Sequence, residues 1–184
     1  MNIIEVSKQN QIVLDLYSKL IDDRIIFINQ PITMELATEI QSCLLYLKSK
    51  SSDPIDIYIN SPGGSVYAGL AIYDTIKHLQ KQGVIINTYA TGLVASMAAI
   101  LLISGNTRFS LPNSTIMFHQ ISSFTEGKLE DMKIDLKETE RLQNVLNEII
   151  TKEVSKEILN YCKYTDFYLD SQKAIEFSVI HKIL

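Results

Sequence analysis

Apolar and polar positions along this chain switch between two periods. Arg24-Ile-Ile-Phe-Ile28 is a short, nearly unbroken apolar run rich in β-branched residues, which predicts a buried strand. Ile32, Leu36, Ile40, Leu44 and Leu47 then recur at helical spacing. Ile55-Asp-Ile-Tyr-Ile-Asn60 predicts a second strand, stopped by Ser61-Pro62-Gly63-Gly64. Val66, Leu70, Tyr73, Ile76 and Leu79 mark a second helix that Gly83 ends. A β-branched strand over 84–91 leads through Gly92 into a compact apolar helix. Arg108-Phe-Ser110 and Thr115-Ile-Met-Phe118 read as short strands around the turn Leu111-Pro-Asn-Ser114. Strands alternating with helices predict an α/β fold with a largely parallel sheet.

The last third changes character. From Leu129 to Val154 the chain is rich in Glu, Lys and Asn, and Leu129, Met132, Leu136, Leu142, Val145, Leu146, Ile149 and Ile150 form one apolar stripe. This is a long amphipathic helix. Packing on a second subunit would explain its length; folding back on its own sheet fits the pattern nearly as well. Asp170 then caps a short helix through Ala174 and Phe177. With no repeat, low-complexity tract or linker, residues 1–184 are expected to form one domain.

Composition narrows the class. Apolar residues make up 46% of 184 residues and charged residues 21%, a globular balance that excludes a disordered chain or a disulfide knot. Seventeen basic against 21 acidic residues leave no basic excess to neutralise phosphates, so no nucleic-acid partner is expected. The two cysteines, Cys43 and Cys162, and three histidines, His78, His119 and His181, show no metal-ligand spacing. Cys43, on an apolar helix face, reads as a buried thiol. The stretch from Met1 to Tyr17 lacks the apolar core of a signal peptide, and Leu93–Ile103 is too short to span a bilayer. No membrane association, no cofactor and a cytoplasmic location are expected.

Candidate chemistry is sparse. Ser96 stands after a strand and Gly92, at the start of an apolar helix, where backbone N–H groups are free to hold an oxyanion. A serine there is either a nucleophile or a small residue permitting close helix packing, and residue type alone favours packing. The surrounding sequence is not the GxSxG elbow. Gly63 and Gly64 make a strand-to-helix turn and would also let a backbone N–H approach a ligand oxygen. His119, at a strand end, is either a general base or a partly buried polar residue. His78 reads as a surface residue, and His181 has no evident partner. Ten aspartates offer an acid, and spacing selects none of them.

Several stretches, in order, resemble the ClpP family, the proteolytic subunits of ATP-dependent caseinolytic (Clp) proteases. They are Asp15-Leu-Tyr-Ser-Lys-Leu20, Arg24-Ile-Ile-Phe27, Tyr58-Ile-Asn-Ser-Pro-Gly-Gly64, Ala68-Gly69 and Ile72-Tyr-Asp-Thr75. Gly92 with Ala95-Ser-Met97, Arg108-Phe109, Leu111-Pro-Asn-Ser114 and Met117-Phe-His-Gln120 continue the series. The resemblance spans nearly the whole chain. It implies the ClpP/crotonase-like fold of repeated ββα units with a projecting handle region over about 120–155. It also implies a Ser–His–Asp endopeptidase. Ser96 in Ala-Ser-Met would be the nucleophile, and His119 in Met-x-His-Gln the base. Asp166, followed by Phe-Tyr-Leu and a helix cap, would be the acid. The N–H groups of Gly64 and Met97 would form the oxyanion hole. Family partners are further copies of the chain (a heptameric ring, stacked as a tetradecamer), an AAA+ unfoldase and unfolded polypeptides.

The departures from that pattern are specific. Ile121-Ser122-Ser123 stand where the family usually has a proline and paired glycines. Tyr164 and Thr165 replace an acidic residue and an arginine that pair across rings. The usual His-Thr-Gly is missing near Lys152-Glu-Val-Ser155, and 77–87 is a few residues longer. Tyr58 and Leu111 match the unfoldase-docking pocket, whereas Asp56, His78 and Thr91 sit where apolar residues are common. The segment 2–13 lacks the usual basic pair, and no propeptide is evident. These features fit a divergent second ClpP working beside a standard paralogue. An alternative is a structural or regulatory ring subunit that needs an active paralogue. A crotonase-type acyl-CoA enzyme would not need the Ser–His–Asp set.

Overall fold

The computed structural model describes residues 2–6 and 11–184, with side chains from Asp15 onward. β1 (Asn2–Val6) and β2 (Gln11–Asp15) pair antiparallel. The missing basic pair expected in 2–13 falls partly on residues 7–10, outside the described residues. Asp15 caps α1 (Leu16–Asp22) by accepting from the N–H groups of Tyr17 and Ser18.

Strands and helices then alternate: β3 (Ile25–Ile28), α2 (Met34–Lys50), β4 (Ile55–Ser61), α3 (Val66–Lys81), β5 (Ile86–Ala95), α4 (Met97–Leu102) and β6 (Thr107–Ser110). The four strands lie side by side and all run parallel. Parallel neighbours require a crossover, which the three helices supply. Two of these helices have a chemical start, with Thr33 capping α2 and Ser65 capping α3, and Gly83 follows the end of α3 with φ 85°. On one sheet face Ile55, Ile57 and Ile59 are fully buried in the same cluster as Leu36, Ile40, Leu44, Ile72, Ile76 and the whole of α4. The opposite face carries a row of half-buried rings in register. Phe27, Tyr58, Tyr89 and Phe109 stack at centroid distances of 5.5, 4.4 and 4.7 Å. Asp56 shares that face and accepts from Asn87 Nδ2 and Tyr89 Oη, and burial together with this carboxylate pushes the Tyr89 phenol up to about 12.

β5 departs from the sequence expectation. It does not stop at Thr91 but continues through Gly92 to Ala95. Its pairing with β4 shifts on the way: Ile59 opposes Ala90, whereas Ser61 opposes Val94, so β5 carries two extra residues in a bulge. Gly92 (φ 68°) allows this, because a Cβ there would lie 2.7 Å from Asn60 Oδ1, the atom that accepts the Leu93 N–H. The bulge frees the far half of β5 for another neighbour. β6 pairs with residues 87–90, and β7 (Thr115–Phe118) pairs with 93–95, both parallel to β5. The turn 111–114 therefore carries the chain between two positions along one strand and does not close a hairpin.

α5 (Leu129–Glu153) is the expected long helix. Its second half is buried through Leu142, Leu146, Ile149 and Ile150, while Leu129, Ile134 and Leu136 of the first half are exposed. Glu153 fastens the buried end: Tyr73 Oη donates to it at 3.1 Å, and Lys77 Nζ lies at 2.8 Å. α6 (Ile158–Tyr161) leads to β8 (Phe167–Leu169), antiparallel to β7. α7 (Ser171–Glu176) starts at the Asp170 cap, which accepts from Lys173 N–H at 2.8 Å, and β9 (Lys182–Ile183) joins β6. Among the described residues no helix is long and apolar enough to cross a membrane. Cys43 is half-buried rather than buried, beside Glu39 in a groove along α2, and burial raises its thiol pKa.

Candidate active site

Ser96 lies at the joint between β5 and α4, at φ 57° and ψ −124°. A non-glycine residue in that region costs about 1–3 kcal/mol and persists only where its surroundings enforce it. Here Ser96 N–H donates to Met117 O on β7 at 2.9 Å, and Ser96 O accepts from Ala99 N–H in α4 at 3.0 Å. The bulged strand, its β7 neighbour and a fully buried helix hold the backbone in this pose. The side chain makes no cap bond to α4, so its hydroxyl is free for another partner.

That partner is His119. β7 ends at Phe118, and Nε2 of His119 lies 2.7 Å from Ser96 Oγ. Nδ1 of the same ring lies 3.6 Å from Asp166 Oδ1, just before β8. The antiparallel pairing of Phe118 with Phe167 brings the residue after one strand beside the residue before the other. The structure thus gathers three residues spread over 70 positions of the sequence, although Asp166 stops short of hydrogen-bond distance and its side chain is 50% exposed.

The turn after β4 closes the site from the other side. Ser61 Oγ donates to Gln30 O at 2.7 Å and accepts from Gly63 N–H at 3.2 Å. Ile32 N–H donates to Gly63 O, and Ser65 N–H donates to Ile32 O, both at 2.9 Å. This leaves Gly64 N–H with no acceptor among the described residues, and Met97 N–H, at the first position of α4, is likewise unpaired. The glycines are sterically required. A Cβ on Gly63 would sit 2.7 Å from Ser96 Cβ, and one on Gly64 would sit 2.4 Å from Ile32 O.

Ser96, His119, Gly64 and Met97 border one cleft of about 240 Å³, whose apolar walls include Ile100, Leu146 and Ile150. Cys162 also lines it as a buried thiol whose pKa burial raises, so it stays protonated at neutral pH. Two residues matter here in ways the sequence did not show: Gly69 entered only within the Ala68-Gly69 match to the family, and Gln143 not at all. Gly69 on α3 makes room for the buried Met97 side chain. Gln143 on α5 holds the backbone two residues beyond His119. Neither carries a local signal, since both act across long sequence separations. His78 is exposed, as expected, beside Gln82. His181, read as lacking a partner, instead lies against Arg108: Nδ1 accepts the Arg108 N–H at 3.1 Å, and Nε2 is 3.0 Å from the guanidinium. Among the described residues no cluster of three His, Cys, Asp or Glu side chains could hold a metal ion.

A serine hydroxyl on a histidine nitrogen, beside two unpaired N–H groups in an apolar cleft, is an arrangement suited to acyl transfer. Comparison with known families agrees in kind: the family model described as Clp protease matches residues 7–184. This match covers nearly the whole chain, and the protein therefore belongs to the Clp protease family, with the proteolytic role of a Clp-type protease.

Proposed function

We propose that this chain is a serine endopeptidase subunit that cleaves unfolded proteins and peptides inside a ring-shaped Clp chamber. The observation that carries this reading is the 2.7 Å contact between Ser96 Oγ and His119 Nε2 at the mouth of the cleft. In the proposed reaction Ser96 Oγ attacks a peptide carbonyl carbon while His119 Nε2 takes its proton. The oxyanion is received by the N–H groups of Gly64 and Met97. His119 then protonates the leaving amine, and a water, deprotonated by the same ring, hydrolyses the acyl-serine. Asp166 holds the proton on Nδ1, so that Nε2 accepts.

The same proposal treats residues 1–184 as one peptidase unit with the ClpP/crotonase-like ββα fold. One contiguous buried cluster, from Ile26 to Ile180, and the split pairing of β5 support it. The exposed apolar first half of α5 supports contact with further copies of the chain across a stacked ring. ATP would be consumed by a partner AAA+ unfoldase in the cytoplasm, not by this chain. A second reading, a ring subunit that needs an active paralogue, is favoured by the 3.6 Å gap at Asp166 and by Tyr164 and Thr165 beside it. Peptide hydrolysis by the purified chain, with and without Ser96→Ala and His119→Ala, separates the readings. Cleavage that both substitutions abolish supports the endopeptidase. Cleavage that survives Ser96→Ala overturns it.

A further inference from the structure

The cleft wall beyond His119 hangs on one side chain that the proposed chemistry does not use. Residues 119–122 leave β7 and run along the cleft with no strand partner. Ile121 is half-buried against the core, so its N–H needs an acceptor. It finds one 22 residues on: Ile121 N–H donates to Gln143 Oε1 on α5 at 2.8 Å. The Gln143 amide is itself oriented, because its Nε2 donates to Asn147 Oδ1 one turn along the helix at 2.8 Å, which leaves Oε1 for Ile121. The chain has a backbone donor to satisfy here because residue 121 is not a proline.

We propose that Gln143 is a positioning residue for the substrate wall. It ties residues 120–122 to α5 and removes the Ile121 N–H from reach of a bound peptide. The Ile121 carbonyl, which meets no donor among the described residues, remains as the backbone group a peptide can use. Gln143 does not touch the Ser96–His119 pair, so its loss should weaken peptide docking more than the chemical step. This kinetic consequence rests on the endopeptidase reading; the tie itself does not.

The test uses the full chain with Gln143→Met, which keeps length and loses the acceptor, and Gln143→Glu, which keeps the acceptor. Amide hydrogen exchange over residues 119–123 should speed up about tenfold in Gln143→Met and stay within about twofold of the parent in Gln143→Glu. On a fluorogenic peptide, Gln143→Met should raise KM about tenfold with kcat within about twofold, and Gln143→Glu should recover most of that loss. In an Ile121→Pro background, which has no N–H to satisfy, Gln143→Met should add little to KM. Unchanged exchange in Gln143→Met overturns the tie, whether or not the chain cleaves peptides. A fall in kcat with KM unchanged, or equal damage by Met and Glu, overturns the positioning role. A parent chain that does not cleave contradicts the endopeptidase reading, and exchange then decides the tie by itself.

Discussion

His119 Nδ1 lies 3.6 Å from Asp166 Oδ1, whereas Nε2 of the same ring is only 2.7 Å from Ser96 Oγ. The Ser96–His119 contact is closed and the His119–Asp166 contact stands just open. Closing it takes a shift of well under 1 Å, within the looseness common in unliganded sites. If Asp166 is the acid, Asp166→Asn should lower kcat by about 10²–10⁴-fold, because the ring then loses the partner that keeps its proton on Nδ1. Steady-state peptide cleavage measures this. A loss below about threefold would remove Asp166 from the mechanism.

Strain at Ser96 is separately measurable. At φ 57° a Cβ is disfavoured, and glycine is the residue that occupies this region freely. Both Ser96→Ala and Ser96→Gly delete the hydroxyl, but only glycine relieves the backbone. Ser96→Gly should therefore be more stable than Ser96→Ala by about 1 kcal/mol in urea unfolding. Equal stabilities would mean that the backbone relaxes without the hydroxyl and stores no strain.

Met97 connects the candidate oxyanion site to the core. A Cβ on Gly69 would lie 2.2 Å from Met97 Cγ, so Gly69→Ala must displace a side chain that is 2% exposed. Overpacking of this kind costs about 1–3 kcal/mol, partly offset by about 1 kcal/mol of helix propensity in α3. Met97→Ala alone leaves a cavity costing about 2–5 kcal/mol. The double variant should be more stable than the sum of the singles predicts by about 1 kcal/mol or more. Additive denaturation energies would show that Gly69 is not there for Met97.

His181 gives the fold a pH dependence of defined sign. Burial, and then the neighbouring Arg108 guanidinium, hold its pKa below the ordinary 6.5. Between the folded value and 6.5 the unfolded chain binds more protons than the folded one, so stability rises with pH through this window and is complete above it. His181→Gln should flatten that limb, read as urea midpoints at about pH 5 and about pH 8. Glu153, 4.0 Å from Arg108, is common to both proteins. An unchanged pH slope in His181→Gln would assign the limb to other groups.

The periodicity of apolar residues was enough to place α2, α3, α4 and α5 and to predict a parallel sheet, but not to mark the short α1 and α6. Ile32, Leu36, Ile40, Leu44 and Leu47 are all buried as the spacing requires, although Ile32 bridges Gly64 ahead of α2. The bulge that carries β5 past Gly92 to Ala95 was not legible, because it depends on how Asn60 of a different strand meets Gly92. Nor was the parallel course of β6 and β7, since register between distant strands leaves no local mark. For the site, Ser96, His119 and Gly64 were candidates by position whose types also fitted packing or turn roles, and only resemblance to a family chose the site reading and selected Asp166 from ten aspartates. The contacts of His181 and Gln143 span 73 and 22 residues and connect residues whose neighbours in sequence are unremarkable.

Whether Ser96 is an activated nucleophile is read from intact mass after treatment with a fluorophosphonate. Phosphonylation joins Ser96 Oγ to phosphorus, expels fluoride and passes the hydroxyl proton to His119. A single adduct should form on the purified chain, be absent from Ser96→Ala and form far more slowly in His119→Ala. No adduct on the parent chain, or an adduct that persists in Ser96→Ala, would contradict an activated Ser96.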